Sequence, residues 1–205
     1  CRLAVTYPEI AVMQTKAVIK AAIAVQNRHP DWKVVPEIMI PLVGEIKELQ
    51  FVKRVVVDTA DKVIADAKSN LKYEVGTMIE IPRAALTADK IAEQAEFFCF
   101  GTNDLTQYTI GVDRENASVA PLYDEFHLAV LRMIQNTISE AEKAGIDVSV
   151  CGEMASRKTS ALVLAGMGIR NLSMSPAMIC KIKELLSKYT IKELKSISSK
   201  QLNSL

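Results

Sequence analysis

Along the whole chain, short runs of branched and aromatic residues alternate with longer stretches of helical periodicity. Residues 34–43 (VVPEIMIPLV), 73–81 (YEVGTMIEI), 97–101 (FFCFG), 148–151 (VSVC) and 171–174 (NLSM) read as strands. Between them lie helical stretches: Pro8–Gln26, 44–68 as two helices, 84–94, 124–144 stopped by Gly145, and 159–165. Residues 104–116 read as irregular or partly helical. Two helices close the chain, over 177–188 and 191–198, before a polar tail from Ser199 expected to fray. Alternating β and α elements require a parallel sheet shielded by helices. Two architectures satisfy this, an open doubly wound sheet and a (β/α)8 barrel. Both place chemistry at the C-terminal ends of the strands.

Composition narrows the function. With 49% hydrophobic residues the chain can bury a core, which excludes wholesale disorder. Its 25 basic and 24 acidic residues leave a net charge of +1, with no electrostatic footprint for nucleic acid. No apolar run approaches the roughly 20 residues of a membrane span. The four cysteines, Cys1, Cys99, Cys151 and Cys180, are widely spaced, which argues against a structural zinc site or a disulfide framework. Reduced thiols and a cytoplasmic location are the expectation. No linker or low-complexity tract divides the chain, so a single domain is expected.

The strand ends carry the chemistry. Glu80 follows the second strand, Thr102-Asn103-Asp104 the third, and Cys151-Gly152-Glu153 the fourth. If the second and third strands are neighbours, Glu80 and Asp104 stand about 4.8 Å apart in backbone position. Mg2+ takes one or two protein carboxylates and leaves its other positions to water and substrate oxygens. The plain alternative pairs Glu80 with a nearby Lys or Arg and uses Asp104 to cap the following turn. Cys151, closing an apolar strand, reads more readily as an inert buried thiol than as a proton donor, which spacing alone does not show. Arg114 has the planar fork to clamp a phosphate or carboxylate, or else pairs with Asp113 or Glu115. His127 at the start of a helix reads as structural.

Taken together, GTMIEIPRAA (76–85), FGTNDLTQ (100–107) and CGE (151–153) resemble the phosphoenolpyruvate-binding barrel of the PEP-utilising enzymes. That family includes pyruvate phosphate dikinase, PEP synthase and enzyme I of the sugar phosphotransferase system. Residues 1–100 are most similar to the dikinase, and those from Tyr108 onward to enzyme I. The resemblance implies that Glu80 and Asp104 are Mg2+ ligands. It implies that Asn103 contacts the substrate phosphate, with Thr102 in the same loop, and that Arg114 binds phosphoenolpyruvate. Cys151 matches the proton donor, with Gly152 beside it. The implied activity is phosphoryl transfer between phosphoenolpyruvate or pyruvate and a phosphohistidine on another domain. A homodimer is also implied.

Neither His29 nor His127 matches the phosphocarrier motif, and the arginines of earlier barrel strands would lie upstream of Cys1. A (β/α)8 barrel typically needs about 250 residues. About five strands in 205 residues, with no initiator Met, are therefore expected to be the last five of eight. An isolated segment of that kind is expected to be catalytically incompetent and to associate through its open edges. A non-catalytic dimerisation module is the contrasting reading. A different Mg2+-dependent pyruvate lyase or aldolase is a third, which GTNDLTQ and CGE oppose.

Overall fold

A computed structural model describes residues 1–203. The apolar runs form one parallel sheet of five strands: β1 (Glu37–Ile40), β2 (Glu74–Ile79), β3 (Phe97–Gly101), β4 (Asp147–Cys151) and β5 (Asn171–Leu172). Spatial order equals chain order, β1-β2-β3-β4-β5. This decides between the two architectures. A doubly wound sheet reverses direction at a switch point, which places helices on both faces. Here every crossover steps one strand the same way, and right-handed crossovers then lay all connecting helices on one face. The chain has the topology of consecutive β/α barrel units.

Two helices precede the sheet, α1 (Arg2–Thr6) and α2 (Pro8–Arg28), with Pro8 at the first helical position of α2. The first connection is α3 (Ile46–Asp66), opened by a reciprocal capping box between Glu45 and Glu48. The second is α4 (Pro82–Leu86) with α5 (Ala88–Ala92). The third is α6 (Thr102–Ile110), a 3-10 turn at Ala120–Leu122, and α7 (Leu128–Ala144). The fourth is α8 (Glu153–Ser156) with α9 (Lys158–Met167). After β5 come α10 (Pro176–Leu186) and α11 (Ile191–Asn203).

One core joins these layers. Ile40, Val75, Ile79, Phe98, Phe100 and Val150 from the strands pack with Leu49, Val52 and Val56 of α3 and Val130, Leu131 and Ile134 of α7. Phe97 and Cys99, which alternate with Phe98 and Phe100 along β3, are buried but stand apart from this cluster. The sheet thus has a helix-packed face and an opposite face.

Several boundaries differ from the sequence reading. Residues 46–66 form one helix, because the Leu49–Val52–Val56–Val63 stripe is continuous and nothing breaks it. The stretch 84–94 divides at Thr87 into α4 and α5. Residues 102–110 are fully helical, ended by Gly111 in the left-handed conformation. The long helix starts at Leu128 rather than Asp124, because the His127 ring accepts the Ala129 N–H and caps it. That is the structural role expected of His127. Of the tail expected to fray, 199–203 continue α11, and residues 204–205 lie outside the described residues.

Candidate active site

The register brings the candidate residues to one end of the sheet. β2 and β3 pair with Ile79 opposite Phe100, so Glu80 and the Gly101–Thr102 turn leave the sheet side by side. β3 and β4 pair with Gly101 opposite Cys151. The motifs therefore converge because neighbouring parallel strands end at the same height.

Glu80 is buried, 3% exposed. Its Oε1 accepts the Leu42 N–H at 2.7 Å, and no Lys or Arg among the described residues pairs with it. Burial pushes its carboxyl above the ordinary value, and the adjacent Asp104 pushes the same way. Gly101 makes this approach possible: a Cβ there would lie 2.6 Å from Glu80 Oε2. Asp104, in the first turn of α6, is one-third exposed, and its Oδ1 lies 3.2 Å from Arg114 Nη2. Arg114 thus pairs with neither Asp113 nor Glu115. Its backbone N–H donates to Gln107 Oε1 at 3.1 Å, so the Gln of GTNDLTQ holds the arginine loop down.

The second group adjoins the first. Thr102 is fully buried and its Oγ1 donates to the Cys151 carbonyl at 3.3 Å. Gly152 has φ +99 and ψ −174, a conformation open essentially to glycine alone. A Cβ there would lie 2.8 Å from Thr102 Oγ1. Asn103 Oδ1 accepts the Glu153 N–H at 3.3 Å, and its carbonyl accepts the Tyr123 hydroxyl at 3.1 Å.

Cys151, at the end of β4, is partly exposed and its Sγ donates to the Phe100 carbonyl at 3.4 Å. Its thiol is pushed well up by the Cys99 thiol beside it, then by burial and by the Glu80 charge. The same contact lowers Cys99, so of this pair Cys151 keeps its proton. A thiol held in its protonated form is a poor nucleophile.

Glu80, Asp104 and Arg114 therefore stand together, and Thr102, Asn103, Gly152 and Cys151 adjoin them. Among the described residues no group of three or more His, Cys, Asp or Glu is placed to hold a metal. A lone pair of carboxylates, one buried and one facing solvent, fits a hard cation that keeps most of its positions for other oxygens. It does not fit a closed zinc site.

Sequence reasoning missed several contributors. Leu42, at φ +54, turns its N–H onto Glu80, and nothing in PEIMIPLVG marks it beyond the flanking Pro41. Tyr123 reaches Asn103 across an irregular loop, where no periodicity exists to reveal it. Cys99, whose thiol adjoins Cys151, lies inside FFCFG with no motif to mark it.

Residues 1–191 match the PEP-binding domain of PEP-utilising enzymes. Pyruvate, phosphate dikinase from Clostridium symbiosum is 47% identical over 191 residues, covering 86% of this chain and 22% of the relative. Phosphoenolpyruvate-protein phosphotransferase from Borreliella burgdorferi is 43% identical over 176 residues, covering 82% of this chain and 29% of the relative. The chain spans less than a third of the length of either. A solved citrate lyase from Burkholderia xenovorans superposes with a TM-score of 0.54 at 18% identity, over 80% of this chain and 55% of its own. That likeness concerns the fold alone.

Proposed function

The chain belongs to the PEP-utilising enzymes, as their PEP-binding domain, and we propose that it forms the phosphoenolpyruvate/pyruvate site of a longer phosphotransferase of the dikinase type. The observation that carries this reading is the convergence of Glu80, Asp104, Asn103 and Cys151 at one end of three adjacent strands. The remainder of the barrel and a phosphohistidine domain belong to the rest of that enzyme. Transfer to the histidine of a carrier-linked phosphotransferase is the second reading, favoured by the Borreliella relative.

Glu80 and Asp104 would hold Mg2+, which when bound supplies positive charge to the oxygens of the three-carbon acid. The chain's own residues do the rest. Arg114, one-third exposed beside Asp104, presents a guanidinium fork to phosphoryl oxygens. Asn103 lies in the first turn of α6, where backbone N–H groups and the helix dipole favour anions. Thr102 fixes that turn against the Cys151 carbonyl. Phosphoryl transfer from phosphoenolpyruvate to histidine leaves an enolate. The Cys151 S–H delivers its proton to C3, giving pyruvate and a thiolate that solvent reprotonates. The reverse direction removes that proton.

A homodimer is part of the same reading, whereas the apolar groove of about 650 Å³ between α2 and the unpaired edge of β1 is the place for the remainder of the barrel. A cytoplasmic setting is supported by the free thiols. No helix among the described residues is long and apolar enough to cross a membrane.

The test uses the full gene product with Mn2+ as a spectroscopic probe. Glu80→Gln and Asp104→Asn are each expected to weaken Mn2+ binding at least tenfold and to abolish phosphoenolpyruvate binding. Wild-type Mn2+ affinity in both variants would overturn the assignment.

A further inference from the structure

Glu125 is a carboxylate only 4% exposed, and the chemistry above does not use it. It lies between the 3-10 turn and α7, far in sequence from the groups it contacts. Its Oε1 accepts the buried Ser160 hydroxyl at 2.9 Å and lies 3.1 Å from Arg157 Nη1. Arg157 is the residue before α9, and its second fork nitrogen reaches Glu153 Oε2 at 2.7 Å. Glu153 in turn directs its backbone N–H to Asn103 Oδ1. One guanidinium thus ties a buried carboxylate to the turn that follows Cys151.

The parts are unequal. The Arg157–Glu153 pair is exposed on both sides, at 55% and 65%, and such a pair alone holds little. The Arg157–Glu125 side is anchored, because a buried carboxylate needs its cation. Burial at Glu125 therefore sets where Arg157 stands, and Arg157 sets where Glu153 stands. The outcome reaches Asn103. With its Oδ1 occupied by the Glu153 N–H, the NH2 is the end of the amide left to meet a ligand. That is the sense needed to meet a phosphate oxygen, and the opposite sense would turn an acceptor toward it.

We infer that Glu125 and Arg157 are positioning residues that, through Glu153, fix the Asn103 carboxamide with its donors facing the phosphate of phosphoenolpyruvate. The inference rests on the function proposed above, and it makes a distinction that general loosening does not. Pyruvate lacks the phosphate, so its binding does not depend on that donor.

The test compares the wild-type full gene product with Arg157→Ala, Arg157→Lys and Glu125→Gln. Calorimetry with Mg2+ gives the Kd for phosphoenolpyruvate and for pyruvate, and hydrogen exchange reports the Glu153 amide. Arg157→Ala is expected to weaken phosphoenolpyruvate about tenfold, the worth of one well-placed hydrogen bond to a charged group. Pyruvate and Mg2+ affinities stay unchanged, and the Glu153 amide exchanges faster. Arg157→Lys keeps a cation on Glu125 but lacks the fork, so it falls between. Glu125→Gln, nearly isosteric, shows the same selectivity at smaller size, and it decides the matter if Arg157→Ala does not fold. Equal weakening of both ligands, or unchanged Glu153 exchange, overturns the clamp. A wild-type protein that binds neither ligand overturns the proposed function, and the ligand role with it, whereas the exchange result still judges the clamp by itself.

Discussion

The two faces of the sheet are built from the same strands and differ in almost every respect. On one, Ile40, Val75, Ile79, Phe98, Phe100 and Val150 meet α3 and α7 in a continuous apolar core. On the other stand Cys99, Gly101, Ser149 and Cys151, with Glu80 at its rim. The polar side chains there bond to strand carbonyls: Ser149 to Phe98 and Cys151 to Phe100. Stability and chemistry are thus separated by the alternation of the strands, so substitutions on the two faces should have opposite profiles.

The largest effect belongs to the packed face. Phe98→Ala, at a fully buried position, should cost about 3–5 kcal/mol in denaturant melts. A cost below about 1 kcal/mol would break the contrast. Gly166→Ala probes the outer layer behind that face. A Cβ there would lie 2.1 Å from the Leu194 carbonyl of α11, with no flexible group to yield. A loss of about 1–3 kcal/mol is expected.

At the rim, Glu80→Gln should act with the opposite sign. A carboxyl whose folded pKa is raised holds its proton more tightly in the native state than in the unfolded chain. Its contribution is therefore largest at low pH and is lost as pH rises above the ordinary value of 4.5. Without divalent cation, Glu80→Gln should be the more stable protein at neutral pH, and the gap should close on acidification. Equal Tm values across that range would remove the cause assigned to the shift. The smallest effect is on the open face. Ser149→Ala loses one hydrogen bond of 3.3 Å to the Phe98 carbonyl and should cost about 1 kcal/mol or less.

The same contrast explains what could be read from the sequence. The packed face writes itself as runs of Ile, Val and Phe, and FFCFG matched β3 to the residue. The barrel-type order could not be read from alternation, because a doubly wound sheet has the same elements; only the strand pairing separates them. At the site, the strand-end rule and the family motifs singled out Glu80, Asp104 and Cys151 as candidates, since all lie on or beside regular strands. The contacts that position them did not show. Leu42 acts through a backbone N–H, and Tyr123, Glu125 and Arg157 act across loops where no period links partners. Side-chain hydrogen bonds between distant loops leave no local pattern.

The central claim, that Cys151 moves the C3 proton at a phosphoenolpyruvate/pyruvate site, is most directly tested by the exchange of pyruvate methyl protons with D2O. The full gene product with Mg2+ should catalyse it. Cys151→Ala should lose the exchange by at least a hundredfold while binding pyruvate as the wild type does. Exchange at the wild-type rate in Cys151→Ala would contradict the account.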